Sequence, residues 1–239
     1  MTRLGTLTGM ALRELWISFR LIPVVGLPVI AGIGVASVPP ELAGVSAIGG
    51  AGFWYAAGAA ASICFASALA AATIAHERRR GTAAWMAVRA VPRSAILVSW
   101  FVAYGLLLTL GIALGAVGAW LAAITRAESP IDPLPFVTAI AAVACTGLAM
   151  LAAALCLGTV LGRWTAAIIA LLGSGALLAA SFGGPLAGLL LPTGGIGLLA
   201  DVGGAARPLG DAFRDGGAAL GTAAALLVVA AVALERSDL

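Results

Sequence analysis

The stretch FVTAIAAVACTGLAMLAAALCLGTVL, residues 136–161, decides the class of fold, because it contains no charged side chain and no proline. A transmembrane helix needs about 20 predominantly apolar residues to cross a hydrocarbon layer about 30 Å thick. The apolar residues are continuous rather than alternating, which excludes the strand pattern of a membrane barrel. The stretch therefore predicts a helix that spans a membrane.

Five further apolar runs flank this one. The six predicted spans are residues 21–38, 51–74, 96–124, 136–161, 165–182 and 217–234. Of the 239 residues, 62% are hydrophobic and 10% are charged, whereas a soluble domain has about 45–50% and about 25%. A core of ordinary size cannot bury this excess. We therefore predict an all-α integral membrane protein, with residues 1–239 forming a single transmembrane domain.

The basic residues predict the orientation of the chain, because the cytoplasmic segments of membrane proteins collect them. All thirteen are arginines, and most fall on one side of the predicted spans. The arginines on that side are Arg3, Arg13, Arg20, Arg78, Arg79, Arg80, Arg89, Arg93, Arg163 and Arg236. The other side has Arg126, Arg207 and Arg214, with most of the acidic residues. We predict a multi-pass protein of the cell (plasma) membrane with both termini cytoplasmic; the net charge follows this sidedness and does not indicate nucleic-acid binding.

Several functional classes are disfavoured by what the sequence lacks. Without a lysine the chain cannot carry a conventional Walker A phosphate loop. Cys64, Cys145 and Cys156 lie in apolar runs without metal-ligand spacing, which is typical of small buried hydrophobes. No ionisable residue lies deep in a predicted span, as an ion-coupled transporter usually requires. We expect no catalytic, cofactor-binding or metal-binding residue in this chain, and any energy for transport would come from another chain.

The N-terminal segment, residues 1–20, predicts an amphipathic elbow helix. Its apolar residues recur at helical spacing, while Arg13 and Glu14 occupy other faces. The apolar positions are Leu4, Ala11, Leu12, Leu15, Trp16 and Phe19. We expect this helix to lie in the membrane interface and then turn up into the bilayer. Pro23 and Pro28 predict a kink early in the first span.

Residues 183–216, between the fifth and sixth spans, are apolar but interrupted by Gly and Pro every few residues. No stretch of this segment could cross a bilayer as an unbroken helix. One interpretation is a pair of short re-entrant helices that dip into the outer leaflet, packed against protein so that their backbone groups are hydrogen-bonded. The other is an ordinary outer loop with apolar residues.

Two pairs of glycines have the GxxxG spacing that lets transmembrane helices approach closely. Gly111 and Gly115 lie in the third span, and Gly158 and Gly162 lie at the end of the fourth. Because the chain has 32 glycines, such spacings also arise by chance. They therefore predict no particular helix contact.

The loop after the second span, residues 75–95, is the largest predicted cytoplasmic segment and holds the only histidine of the chain. Glu77 and the arginines Arg78, Arg79 and Arg80 follow where the helix leaves the lipid headgroups. On the residues alone, these arginines have two equally supported roles. They either contact a partner protein or only mark the cytoplasmic side and bind lipid headgroups.

The same loop contains start and stop signals for a short coupling helix. Gly81 can break the helix that leaves the second span, Thr82 can cap a new one, and Pro92 ends it. Between these signals there is room for a helix of about nine residues, or about 13 Å. Trp85 lies on its apolar face, and Arg89 lies near its C-terminus, where the helix dipole favours a cation. Trp85 suits a partner's groove or an anchor at the membrane surface.

The run Glu77-x-x-x-Gly81-Thr82, followed ten residues later by Pro92, resembles the intracellular signature of ABC type-2 membrane subunits. In that family the run leaves the second span, passes through a coupling helix and reaches a proline before the third span. The overall plan is also similar: an elbow helix, six spans, cytoplasmic termini and short re-entrant helices between spans five and six. The resemblance covers the architecture of nearly the whole chain, whereas the motif lies in this one loop.

The resemblance implies the permease subunit of an ATP-driven transporter, usually an exporter, with no cofactor of its own. Two copies of a cytoplasmic ABC ATPase, which bind ATP and Mg²⁺, would associate with a pair of permeases in the lipid bilayer. The second permease would be another copy or a related chain, and spans two and five would line the substrate path. The ATPase-facing residues would be Glu77, Arg78, Arg79, Arg80, Gly81, Thr82, Trp85, Arg89 and Pro92.

Two other functions remain open from the sequence. One is a membrane assembly or cofactor-maturation subunit with the same architecture, which would bind an ATPase without moving a free substrate. The other, less favoured, is a secondary transporter or channel that works without ATP. An ATPase that accompanies the chain would separate the permease from the secondary transporter, but not from the assembly subunit.

Overall fold

The computed structural model describes residues 3–34, 47–79, 92–126, 133–181 and 209–236, and the regular structure in these ranges is helical, without a strand. The elements are α1 (Arg3–Ile17), a π-helical turn (Ile22–Gly26), α2 (Leu27–Gly34), α3 (Ala47–Arg79), α4 (Arg93–Arg126), α5 (Pro133–Val160), α6 (Arg163–Ser181) and α7 (Leu209–Arg236). The predicted all-α class is confirmed for these residues.

Four helices, α3, α4, α5 and α7, are long and apolar enough to cross a membrane. They correspond to the predicted second, third, fourth and sixth spans. The helix pair Leu4–Ile17 and Ile22–Gly34 could contribute a fifth span, although it is bent by 85°. The described part of α6, Arg163–Ala179, is apolar but shorter than a full span. The chain thus has the helices of a membrane protein, and a count of six spans stays a prediction.

Three long helices form the centre of the bundle, because α3, α4 and α5 all contact one another. The π turn and α2 fill the groove between α3 and α4, α6 fills the groove between α3 and α5, and α7 fills the groove between α4 and α5. The largest fully buried side chains belong mainly to the central helices. They are Tyr55, Tyr104, Leu15, Ile63, Leu97, Leu108, Ile112, Leu151, Leu155 and Leu178.

The contact between α2 and α4 brings one helix backbone against another. A methyl group on Gly111 would lie 2.8 Å from Cα of Val25, and one on Gly115 would collide with the carbonyl of Pro28. A methyl group on Gly32 would in turn collide with the carbonyl of Gly115. These glycines permit the close approach, because any larger residue would separate the two helices.

The π turn before α2 is tied to α3 by a side-chain hydrogen bond. The hydroxyl of Ser62 donates to the carbonyl oxygen of Val24 at 2.6 Å, and both residues are buried. Pro23 lies at the start of this turn, where its missing amide hydrogen removes one helical bond. About two turns of α3 before Ser62, the hydroxyl of Tyr55 donates to the carbonyl oxygen of Ile112. The hydroxyls of Ser62 and Tyr55 are thus hydrogen-bonded, as an apolar surrounding requires.

A sharp turn separates α1 from the π turn, and it contains Phe19 with a φ of 57°. This left-handed conformation is uncommon for a residue other than Gly. Ala11 and Leu15 on α1 are buried against α4, whereas Trp16 and Phe19 are exposed. The apolar residues of the predicted elbow helix therefore divide into a set that packs on the bundle and a set available to lipid. Its position in the membrane interface stays a prediction.

Two predicted elements fall mainly outside the described residues. The coupling helix within the 75–95 loop lies in the gap between residues 79 and 92. Of the predicted re-entrant segment, residues 183–208 are also outside the described ranges, and residues 209–216 form the first turns of α7.

Candidate functional site

The candidate docking residues that the structure describes lie at the two helix ends that border residues 80–91. Glu77, Arg78 and Arg79 belong to the last turn of α3, and Pro92 directly precedes α4. The other predicted docking residues lie outside the described ranges. These are Arg80, Gly81, Thr82, Trp85 and Arg89.

The first turn of α4 begins at the predicted stop signal. The backbone amide of Ala95 donates to the carbonyl oxygen of Pro92 at 3.0 Å. A proline suits this place, because the first amides of a helix have no partner within the helix. Pro92 is exposed and thus marks the point where the chain enters α4.

The guanidinium of Arg78 binds the C-terminal end of α5. Its Nη1 donates to the carbonyl oxygen of Thr159, and its Nη2 donates to those of Val160 and Leu161 at 3.3 and 3.0 Å. The last carbonyls of a helix lack partners within the helix, and the negative end of the helix dipole attracts a cation. Arg78 therefore caps α5 from the neighbouring helix α3, so its guanidinium is committed to a contact within the chain.

Arg79 lies beside the turn between α5 and α6. Its Nη2 is 2.8 Å from the position of a methyl group on Gly162, so a glycine leaves room for the guanidinium. The turn itself is regular: the amide of Leu161 donates to the carbonyl of Leu157 at 2.9 Å, and that of Ala166 donates to Gly162 at 2.8 Å. Because Arg79 is exposed, it differs from Arg78 in remaining accessible to a partner.

A small cluster of alanines packs α3, α5 and α6 together just inside this end of the bundle. Ala71, Ala154, Ala166 and Ala170 are buried and touch one another. A methyl group on Gly158 would lie 2.6 Å from the carbonyl oxygen of Ala71. The last turns of α3 and α5 therefore run side by side until Arg78 joins their ends.

A second polar cluster lies deeper in the bundle and was not predicted from the sequence. Nη1 of Arg20 donates to Oγ1 of Thr73 at 3.1 Å, and the hydroxyl of Tyr104 lies 3.0 Å from the same oxygen. Thr73 donates its own hydrogen to the carbonyl of Leu69 at 2.7 Å. Since a hydroxyl has one hydrogen and two lone pairs, Tyr104 and Arg20 fill the two acceptor positions. The cluster anchors the turn after α1 to α3 and α4.

Arg20 therefore contacts α3 further from its C-terminal end than the positions of Arg78 and Arg79. Thr73 precedes Arg79 by six residues in one continuous helix, which is about 9 Å along the helix axis. Sequence reasoning assigned Arg20 only to membrane sidedness. A threonine in an otherwise alanine-rich turn of span two is the one signal that could have indicated a polar partner.

The described residues contain no group of three His, Cys, Asp or Glu side chains that could hold a metal ion. Two long helices, α3 and α4, border residues 80–91, and the end of α3 is joined to the end of α5 by Arg78. Comparison with protein-family models and with curated proteins found no match.

Proposed function

We propose that this chain is the permease subunit of an ATP-driven ABC transporter, an exporter that forms its substrate path as a dimer. The ATPase is a separate cytoplasmic subunit, and it docks on residues 77–92, which we call the docking segment. Arg78 is the exception within this segment, because its guanidinium binds the end of α5. ATP-driven closure of two ATPase copies moves this segment and, through α3 and α4, the membrane-spanning bundle.

One observation carries the proposal: the segment with the Glu77-x-x-x-Gly81-Thr82 run and Pro92 joins α3 and α4, two of the three central helices of the bundle. α3 and α4 together contact every other described helix. A force applied to the connection between them would therefore reach the whole bundle. The 85° bend between Leu4–Ile17 and Ile22–Gly34 also supports the proposal, because an elbow helix is part of the architecture of ABC type-2 membrane subunits.

The proposal is tested by purifying a tagged form of the chain from its native membranes and analysing the complex by mass. We expect an ATPase chain with a Walker A sequence, in a ratio of two ATPases to two permeases. After co-expression and reconstitution into liposomes, ATP should drive substrate export, and a Walker A lysine variant of the ATPase should abolish it. Flux that needs an ion gradient but no nucleotide would refute the proposal.

The docking surface is tested with Trp85→Ala, measured as affinity between the purified permease and the ATPase. We expect the affinity to fall by at least about tenfold, because a buried Trp often dominates an interface. Trp16→Ala is the matched control, since Trp16 is an exposed tryptophan of α1, and it should leave the affinity unchanged. Equal affinities for Trp85→Ala and the unmodified chain would exclude Trp85 from the docking surface.

An ATP-independent secondary transporter is the second candidate, and the cluster around Arg20 favours it. An ionisable side chain that reaches the packed centre of a membrane bundle is a candidate for ion coupling. The hydrogen bonds of Thr73 argue against this role, because its donor and acceptor positions are already filled by Arg20, Tyr104 and Leu69. The liposome experiment separates the two functions directly.

A further inference from the structure

We infer that Arg78 is a positioning residue that transmits motion of the docking segment to the turn between α5 and α6. The inference rests on the proposed function and specifies how motion of the docking segment would reach α5 and α6. Sequence reasoning placed Arg78 on the surface that faces the ATPase. In the structure its guanidinium lies at the end of α5, where it donates hydrogen bonds to the carbonyls of Thr159, Val160 and Leu161.

The link between Arg78 and the end of α5 is strong, because a single side chain binds three consecutive carbonyls. A charged donor makes shorter and stronger hydrogen bonds than a neutral one, and the end of a helix dipole adds attraction. The arginine fork is planar and has five N–H groups in a fixed geometry, whereas a lysine ammonium is a point charge on a flexible stem. An arginine therefore fixes the direction of α5 relative to α3, and a lysine would hold it more loosely.

The packing around this link makes the helix ends move as one unit. The Gly158 backbone lies against Ala71, and Gly162 lies against Arg79, so the contact continues over the last turns of α3 and past the end of α5. The alanine cluster of α3, α5 and α6 lies immediately inside. A displacement of the end of α3 therefore carries the α5–α6 turn with it.

The other border of the docking segment leads to a different part of the molecule. α4 contacts α1, and Leu97 near its start is fully buried in the same cluster as Leu15 of α1. A displacement of the docking segment would therefore move the bundle through two sets of contacts. At the end of α3, Arg78 would pass the motion to α5 and α6. At the start of α4, apolar contacts would pass it to the elbow helix α1.

The experiment compares Arg78→Gln, Arg78→Lys and the unmodified permease in lipid nanodiscs, first without the ATPase. Hydrogen–deuterium exchange is measured at the amides of Leu161 and Ala166, which hold the turn. We expect Arg78→Gln to speed this exchange by about tenfold, because the charged cap of α5 is lost. Arg78→Lys should give an intermediate increase. Helical circular dichroism and a single gel-filtration peak check that each variant is folded.

The second measurement adds the ATPase and compares binding, ATP hydrolysis and transport. We expect Arg78→Gln to bind the ATPase within about twofold of the unmodified chain, a negligible change in binding free energy. Transport per ATP hydrolysed should fall by about tenfold, because the route to α5 and α6 is loosened. A role in docking alone would lower the affinity instead and leave the ratio of transport to hydrolysis unchanged.

Arg163→Gln is the matched control, because it makes the same substitution at the α5–α6 turn that Arg78 contacts. The Arg163 guanidinium stacks on the Trp164 ring at 5.4 Å, so the change should leave exchange, binding and transport as in the unmodified chain.

The outcomes separate the inference from the proposed function. Unchanged hydrogen–deuterium exchange at Leu161 and Ala166 in Arg78→Gln would show that Arg78 does not stabilise the end of α5. Faster exchange with an unchanged ratio of transport to ATP hydrolysis would show that Arg78 does not transmit motion to the α5–α6 turn. Failure of the unmodified permease to bind any ATPase overturns the proposed function itself, and with it the transmission role. Faster exchange together with uncoupled hydrolysis supports both.

Discussion

The two GxxxG pairs of the chain share a spacing but make different contacts. Gly111 and Gly115 lie against the backbone of the π turn and α2, so two helices touch with no side chain between them. Gly158 lies against the carbonyl of Ala71, whereas Gly162 lies beside the guanidinium of Arg79. The first pair thus brings two backbones together along the helices, and the second makes room for the arginine-rich end of a neighbouring helix.

These contacts show that a glycine in an apolar helix indicates that another group packs closely against it. The glycine does not indicate whether that group is a backbone or a side chain. A backbone neighbour cannot move without moving its whole helix, while the end of an arginine can rotate away. A Gly→Ala series should therefore rank these sites by what lies opposite each glycine. Gly173→Ala provides the baseline, because nothing lies within 4 Å of its added methyl group.

Gly115→Ala should have the largest effect of the series. Its methyl group would collide with the carbonyl of Pro28 and lie 3.0 Å from Cε2 of Tyr55. We expect the free energy of unfolding to fall by about 2–3 kcal/mol, since an overpacked core must displace backbone. The measurement is an SDS titration of purified protein in mixed micelles, followed by tryptophan fluorescence. Stability equal to that of Gly173→Ala would contradict the close contact of α2 with α4.

Gly158→Ala should have an intermediate effect. The added methyl group would lie 2.6 Å from the carbonyl oxygen of Ala71 and 3.2 Å from Cβ of Ile74. We expect a loss of about 1–2 kcal/mol in the same titration, because one helix end can shift more easily than two whole helices. A loss as large as that of Gly115→Ala would show that the ends of α3 and α5 cannot yield.

Gly162→Ala should have the smallest effect. The nearest atoms to the added methyl group belong to the guanidinium of Arg79, which can rotate out of the way. We expect a change within about 0.5 kcal/mol of the unmodified chain in the same titration. A loss above 1 kcal/mol would mean that Arg79 is held as firmly as Arg78, and the contrast between the two arginines would be lost.

The sequence predicted the helical class and the four longest spans, because continuous hydrophobicity is a strong local signal. At the predicted first span, Pro23 and Pro28 indicated a kink. They did not indicate that the kink is a π turn whose Val24 carbonyl accepts a hydrogen bond from Ser62. Helix type at that point depends on a hydrogen bond from a residue in another helix. No local pattern in the sequence contains that information.

For the candidate site, the sequence indicated the helix ends but not the partners of their side chains. Glu77 and Arg79 lie in the last turn of α3 and Pro92 directly precedes α4, while their role in docking stays a prediction. The target of Arg78 was missed, because the carbonyl groups that it binds are backbone atoms that every sequence has. The Gly158–Gly162 pair was the nearest available clue, since its small residues leave space for the end of α3.

The π turn has a consequence for changes in chain length. Its hydrogen bonds close over five residues instead of four, so it stores one residue more than an α-helical turn between the same ends. A single deletion within Ile22–Gly26 can therefore be absorbed, with Gly32 still directed at Gly115. A deletion within α2 rotates the remaining residues by about 100° and brings Ile33 against α4. The π turn thus gives the chain a place before α2 where the loss of one residue leaves the contact between α2 and α4 in register.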